Sequence, residues 1–154
     1  MNDNIEYEKF TQEIYNEILK NLYVKNMDVK HNVKLTGKSG QKHQIDVYWE
    51  YQYDNTTFKI AIECKNYNHT VSIGKVRDFF GVLYDLEDVK GIMVTKKGYQ
   101  EGAKKFGEHY GIDLMELREP EEGEAIVAET TLTIGSSVRH RLFQVDEDWA
   151  KAHD

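Results

Sequence analysis

The sequence predicts a three-layer α/β domain, a mixed central β-sheet flanked by helices in the order αβββαβαβ, and three observations predict it. Residues 44–51 and 58–65 are neighbouring stretches rich in β-branched and aromatic residues that alternate apolar with polar. Downstream, the short apolar runs 91–95 and 112–117 each follow a segment with helical spacing, the pattern of a sheet covered by helices. The length of 154 residues suits a single core burying roughly two-thirds of the unfolded surface.

The elements follow in order. Residues 5 to about 24 repeat Tyr7, Phe10, Ile14, Ile18 and Leu22 at helical spacing. Val29, His31, Val33 and Leu35 alternate well enough for a first strand, and Thr36-Gly37-Lys38-Ser39-Gly40 is a turn-rich loop. That loop lacks the Gly-x-x-x-x-Gly-Lys-Ser/Thr spacing of a phosphate cradle, so nucleotide binding by that route is excluded. Residues 44–51 read as a half-buried strand, and Asp54-Asn55 fits a hairpin turn to the next one. In residues 58–65 a period of two sets Phe58, Ile60, Ile62 and Cys64 on one face and Lys59, Ala61, Glu63 and Lys65 on the other. Ser72 is placed to cap a helix running to about Asp85, with Val76, Phe79, Phe80 and Leu83 as its apolar face. The run 91–95 suits a buried strand. A helix from about Tyr99 to Tyr110 stops at Gly111, and 112–117 forms the last strand. Pro120 and the acidic 121–124 end this unit, which divides the chain into a domain over 1–118 and an acidic C-terminal extension over 119–154. Within the extension, 125–134 has strand propensity and 138–149 shows no single period.

Composition narrows the function classes. Cys64 is the lone cysteine, which excludes an intramolecular disulfide framework and suits a reducing cytosol. Its alternation with apolar neighbours reads as a structural thiol. The amino terminus lacks a basic region followed by an apolar run, and no stretch approaches the ~20 apolar residues of a membrane span. A soluble, cytoplasmic protein is expected. The net charge of −7 lies wholly beyond residue 112: residues 1–112 hold 16 acidic and 16 basic residues, and residues 113–154 hold 11 acidic and 4 basic. A neutral core offers no overall attraction for phosphate, so nucleic-acid binding would rest on local patches and be salt-sensitive. The six histidines show no zinc spacing, and there is no Gly-x-Ser-x-Gly elbow.

One ordered set of residues carries chemistry: Asp46 at the head of one strand, Glu63 and Lys65 at the end of the next. Carboxylates from paired strands can share Mg²⁺, which is typically held by one or two carboxylates with waters and a substrate phosphate. A lysine two residues on can orient or deprotonate an attacking water, or stabilise charge on the phosphate.

These residues carry a resemblance. Gln44-Ile45-Asp46 followed by Ile62-Glu63-Cys64-Lys65 resembles the core of the PD-(D/E)XK nuclease superfamily, and within it the Mrr-type (type IV) restriction endonuclease-like domain. Residues 71–83, with Phe79, Phe80 and Gly81, are similar to the family's next helix, Lys90 to Thr95 to the following strand, and 98–103 and 111–114 to its last helix and strand. The likeness extends over about residues 5–118. Gln-Ile-Asp departs from the Pro or Gly that many members place before the first acid.

The resemblance implies a restriction-endonuclease-like fold and a Mg²⁺- (or Mn²⁺-) dependent endodeoxyribonuclease serving restriction of foreign DNA. It implies Asp46 and Glu63 as metal ligands, helped by the Ile62 or Cys64 backbone carbonyl, with Lys65 positioning the attacking hydroxide. It also implies a helping acid near the start of the first helix. At ~100° per residue Glu8 borders that helix's apolar stripe, whereas Glu13 points away, so Glu8 is preferred. Candidate DNA contacts are Lys30, His31, Lys34, Lys38, Lys42, His43 and Gln44 around the first acid, and Lys96, Lys97, Lys104 and Lys105 near the other end of the core, with His69 a further phosphate contact. A partner protein or a homodimer would supply specificity, since no second DNA-reading module is visible. Two other readings compete: a nuclease-like fold kept as a catalytically silent DNA-binding or protein-interaction module, and a structure-specific junction resolvase.

Overall fold

The computed structural model of the protein describes residues 3–20 and 28–118, together with the two short strands 131–134 and 138–141. Helix α1 (Asp3–Lys20) leads into β1 (Lys30–Thr36), β2 (Lys42–Tyr53) and β3 (Thr56–Lys65). Then come α2 (Ile73–Leu86), β4 (Val89–Thr95), α3 (Glu101–Tyr110) and β5 (Asp113–Glu116). This is the αβββαβαβ order. Positions 21–24 of the expected first helix lie outside the described residues.

The five strands form one mixed sheet in the order β1-β2-β3-β4-β5. The first three pair antiparallel as a meander, while β3, β4 and β5 run parallel, so α2 and α3 serve as crossovers. Period-two alternation feeds two separate cores. On one face Val47, Trp49, Ile60, Ile62, Ile92 and Val94 pack against Ile14, Tyr15 and Ile18 of α1. On the other, Tyr48, Ala61 and Met93 meet Val76 and Phe79 of α2 and Ala103 of α3. Phe58 and Cys64 join the α1 side, which leaves Ala61, Glu63 and Lys65 on the opposite phase of β3.

Several local features follow from the residues. Asp54 and Asn55 both take positive φ, 51° and 61°, and Tyr53 pairs with Thr56, so the β2–β3 turn is the two-residue mirror-image kind that matches strand twist. Gly111 takes φ 75° and closes α3 with its N–H on the Gly107 carbonyl. Two expectations change. Ser72 does occupy the α2 N-cap with extended backbone, but its side chain makes no capping hydrogen bond. Strand β2 is not half-buried: Ile45 to Trp49 are continuously buried because helices cover both faces of the sheet.

Gly91 shows how tightly α2 sits on β4, since a Cβ there would overlap the ends of Leu83 and Phe79. Gly91→Ala is therefore expected to destabilise the domain by about 1–3 kcal/mol through overpacking. An unchanged thermal midpoint would show that α2 yields freely.

In the extension, β6 (Thr131–Ile134) and β7 (Val138–Arg141) pair with each other as a separate two-stranded sheet. The rest of the expected 125–134 and 138–149 stretches lies outside the described residues. Among the described residues no helix is long and apolar enough to cross a membrane.

Candidate active site

The β2–β3 ladder ends at Val47↔Ile62, whereas β3 stays paired with β4 as far as Lys65↔Thr95. Asp46 and Glu63 thus stand one step beyond the last rung between their strands. There the Asp46 carboxylate takes the place of a main-chain acceptor: its Oδ2 receives the Cys64 N–H at 2.8 Å. A residue in an extended strand presents its N–H and C=O on the same edge, so the Cys64 carbonyl shares this edge. Lys65 Nζ lies 3.2 Å from Glu63 Oε1, as side chains two apart on one strand face allow.

Burial and like charge shape the electrostatics. Asp46 is 8% exposed. Its carboxyl is pushed up to about 7, first by burial and then by the Glu63 charge, with Glu8 adding charge and a side-chain hydrogen bond, against the opposing Cys64 N–H. Burial alone would lower Lys65, but the charge and hydrogen bond of Glu63 outweigh it and leave the ammonium above its ordinary value. Burial, followed by the Asp46 charge, pushes the Cys64 thiol well up, which suits packing and not nucleophilic attack.

Glu8 is half-buried on the α1 face toward the sheet, and Glu13 is exposed. The structure therefore brings Glu8, Asp46, Glu63 and Lys65 together and leaves Glu13 apart. Among the described residues no three His, Cys, Asp or Glu side chains form a ready-made metal cage. The donors nonetheless fit Mg²⁺ or Mn²⁺, which accept two carboxylates and a carbonyl and complete their shell with water. A carboxylate whose proton is held by burial and by a neighbouring anion is one whose charge a divalent cation would offset.

The proposed DNA contacts separate into two regions. His43 Nε2 sits 2.7 Å from Asp85 Oδ2, and Asp85 also accepts the Ser39 N–H and hydroxyl, so Asp85 ties both β2 and the 37–41 loop to the end of α2. The His43 hydrogen bond, followed by those from Ser39, holds the Asp85 carboxyl down at about 2. Lys38 is in the same region, 3.9 Å from Glu87 and over the Tyr84 ring. Lys42 and Gln44 are exposed on β2. Lys96 and the exposed Lys97 follow Thr95, the partner of Lys65, and therefore stand at the candidate site's end of the sheet. Lys96 Nζ lies 6.0 Å from the centre of the Tyr7 ring and lines a cleft of about 330 Å³ with Asn66 and Arg118.

Two residues escape the sequence reading of the site. Thr95 is fully buried and donates its hydroxyl to the Lys65 carbonyl at 2.8 Å, fixing the backbone that carries the lysine. A hydroxyl at the end of an otherwise apolar run was the available signal. His31, grouped above with basic surface residues, instead lies with Nε2 2.7 Å from Glu8 Oε2.

A family model described as restriction endonuclease, Mrr_cat, matches residues 3–120. Among solved structures, the chain is similar to a protein of unknown function, AF1548, at TM-score 0.57 and 22% identity, over 75% of this chain and 61% of that one. It is similar to Can2 from Sulfobacillus thermosulfidooxidans, solved in complex with cyclic tetra-adenylate, at TM-score 0.55 and 17% identity, over 70% of this chain and 31% of that one. A third is protein VC1899 from Vibrio cholerae, at TM-score 0.54 and 15% identity, over 71% and 29%. These likenesses show a shared fold, and the chain spans less than two-thirds of each of the three. No curated protein matches the chain.

Proposed function

This chain belongs to the Mrr-type restriction endonuclease family, and we propose that it hydrolyses DNA phosphodiester bonds with Mg²⁺ or Mn²⁺ held by Asp46, Glu63 and the Cys64 carbonyl. The observation that carries this reading is the meeting of Asp46 and Glu63 beyond the last β2–β3 rung, with Lys65 beside them. A bound divalent ion supplies Lewis-acid polarisation of the phosphate and a more acidic water. Lys65, kept protonated by Glu63, does not act as a base on its own. Its ammonium orients the water and stabilises charge developing on the phosphate oxygens. Glu8 extends the acidic cluster around Asp46. Lys96 and Lys97, at the same end of the sheet, face the DNA backbone, and with an otherwise neutral core such contacts weaken steeply with salt. Family membership supports a role in restriction of foreign DNA.

Purified protein incubated with plasmid, linear, methylated and branched DNA tests the reading. Cleavage that requires Mg²⁺ or Mn²⁺ and stops with chelator is expected. Intact DNA under every condition would refute it, and cutting confined to branched DNA would turn it to a junction resolvase.

The raised Asp46 carboxyl also gives a pH signature. Folded Asp46 binds its proton more tightly than the unfolded residue, so its contribution to stability is complete below about pH 4 and is lost as pH rises through about 7. With chelator present, the melting midpoint should fall between pH 5 and 8. Mn²⁺ competes with the same proton, so its affinity should rise over that range. Calorimetry and melting measure both, and Asp46→Asn should flatten both trends.

A further inference from the structure

We propose that His31 is a positioning residue that holds the Glu8 carboxylate against Asp46, an inference that rests on the nuclease reading of that site. The His31–Glu8 contact is short, 2.7 Å, and sheltered, with side chains 19% and 15% exposed. It differs in kind from a solvated surface pair, whose partners exchange freely with water. Glu8 in turn stands close enough to Asp46 to act on its carboxyl. His31, Glu8 and Asp46 form a continuous chain from β1 through α1 to β2.

The backbone explains why His31 can reach α1. Simple alternation would put His31 on the face of Val33 and Leu35, but those two pack toward the α2 and α3 core. Between them and His31 stands Asn32 with φ 58°, a left-handed conformation that Asn tolerates better than most side chains. The strand changes face there, and His31 turns to the α1 side. The same kink lies across from Asp46: paired positions pass from His31↔Val47 directly to Val33↔Ile45. On β2 the change is matched, since Val47 belongs to the α1-side core and Ile45 to the other. One left-handed residue therefore sits opposite the candidate ligand and aims the histidine at that ligand's neighbour. Without His31, Glu8 would face Asp46 and Glu63 with no partner opposing like-charge repulsion, and it would turn toward solvent.

The test compares His31→Ala, His31→Gln, Glu8→Gln and the His31→Ala/Glu8→Gln double variant. His31→Ala should lower kcat by about 10- to 100-fold, the scale typical of residues that orient a ligand, with DNA affinity unchanged. His31→Gln keeps an N–H donor and should recover most of that loss, which a merely structural role would not require. If His31 acts through Glu8, the double variant should be no worse than Glu8→Gln alone. Mn²⁺ affinity by calorimetry provides a readout independent of cleavage: both single variants should lose it by a similar factor, and the double no further. Unchanged Mn²⁺ affinity in His31→Ala, or losses that add in the double variant, would overturn the inference. A wild-type protein that binds Mn²⁺ but cuts no DNA would remove the proposed function while the calorimetric cycle still decides His31. If His31→Ala fails to fold, the cycle is run with His31→Leu in its place, where losses that add to those of Glu8→Gln carry the same refutation.

Discussion

Asp46→Asn and Glu63→Gln are each expected to abolish DNA cleavage, by at least about 10³-fold, because each replaces an anionic metal ligand by a neutral group of nearly the same shape. Mn²⁺ affinity should fall in both. The two should differ in stability, which separates the site from general damage. Asn at position 46 can still accept the Cys64 N–H, and it removes a charge that is costly to bury, so this variant should melt higher than wild type at pH 8 without metal. Gln at position 63 leaves the half-buried Lys65 ammonium without its anion and should melt lower. Unchanged metal affinity in both variants would remove Asp46 and Glu63 as ligands.

Lys65→Ala should lose cleavage by about 10²- to 10⁴-fold while keeping Mn²⁺ affinity. Its ammonium neutralises Glu63 in the resting protein, so its removal leaves the carboxylate freer to bind a cation. Lys65→Arg is not a conservative rescue, because a planar fork differs from a compact point charge at this half-buried position. Plasmid nicking and calorimetry on the same preparations measure the two effects. Turnover near the wild-type rate in Lys65→Ala would take the lysine out of the mechanism.

The parts of this architecture legible in the sequence were those governed by local periodicity. The period of two in β3 placed Glu63 and Lys65 on one face without reference to any other strand, and Asp54-Asn55 marked the turn that sets the β2–β3 register. Glu8 was separable from Glu13 because helical geometry alone distinguishes the flank of a stripe from the opposite face. Strand β2 looked half-buried because Asp46 and Tyr48, which read as its polar face, are buried by helices supplied from distant segments, while Gln44 and Glu50 on either side are exposed. His31 was illegible for a sharper reason. Exposure along β1 alternates regularly from Lys30 to Thr36, so nothing in the pattern records that the strand changes face at Asn32. The His31–Glu8 contact spans 23 residues and depends on one backbone dihedral.

That dihedral has a consequence for solubility. Strand β1 is an outer strand of the sheet, and an uninterrupted outer strand presents a row of unpaired main-chain donors and acceptors on which another chain can add. Left-handed Asn32 breaks the row near its middle, and exposed Lys30 and Lys34 flank the break with like charge. At the opposite edge β5 is only four residues long. An incoming strand meets at most four residues in line at either edge, a short run on which to seed intermolecular β-pairing.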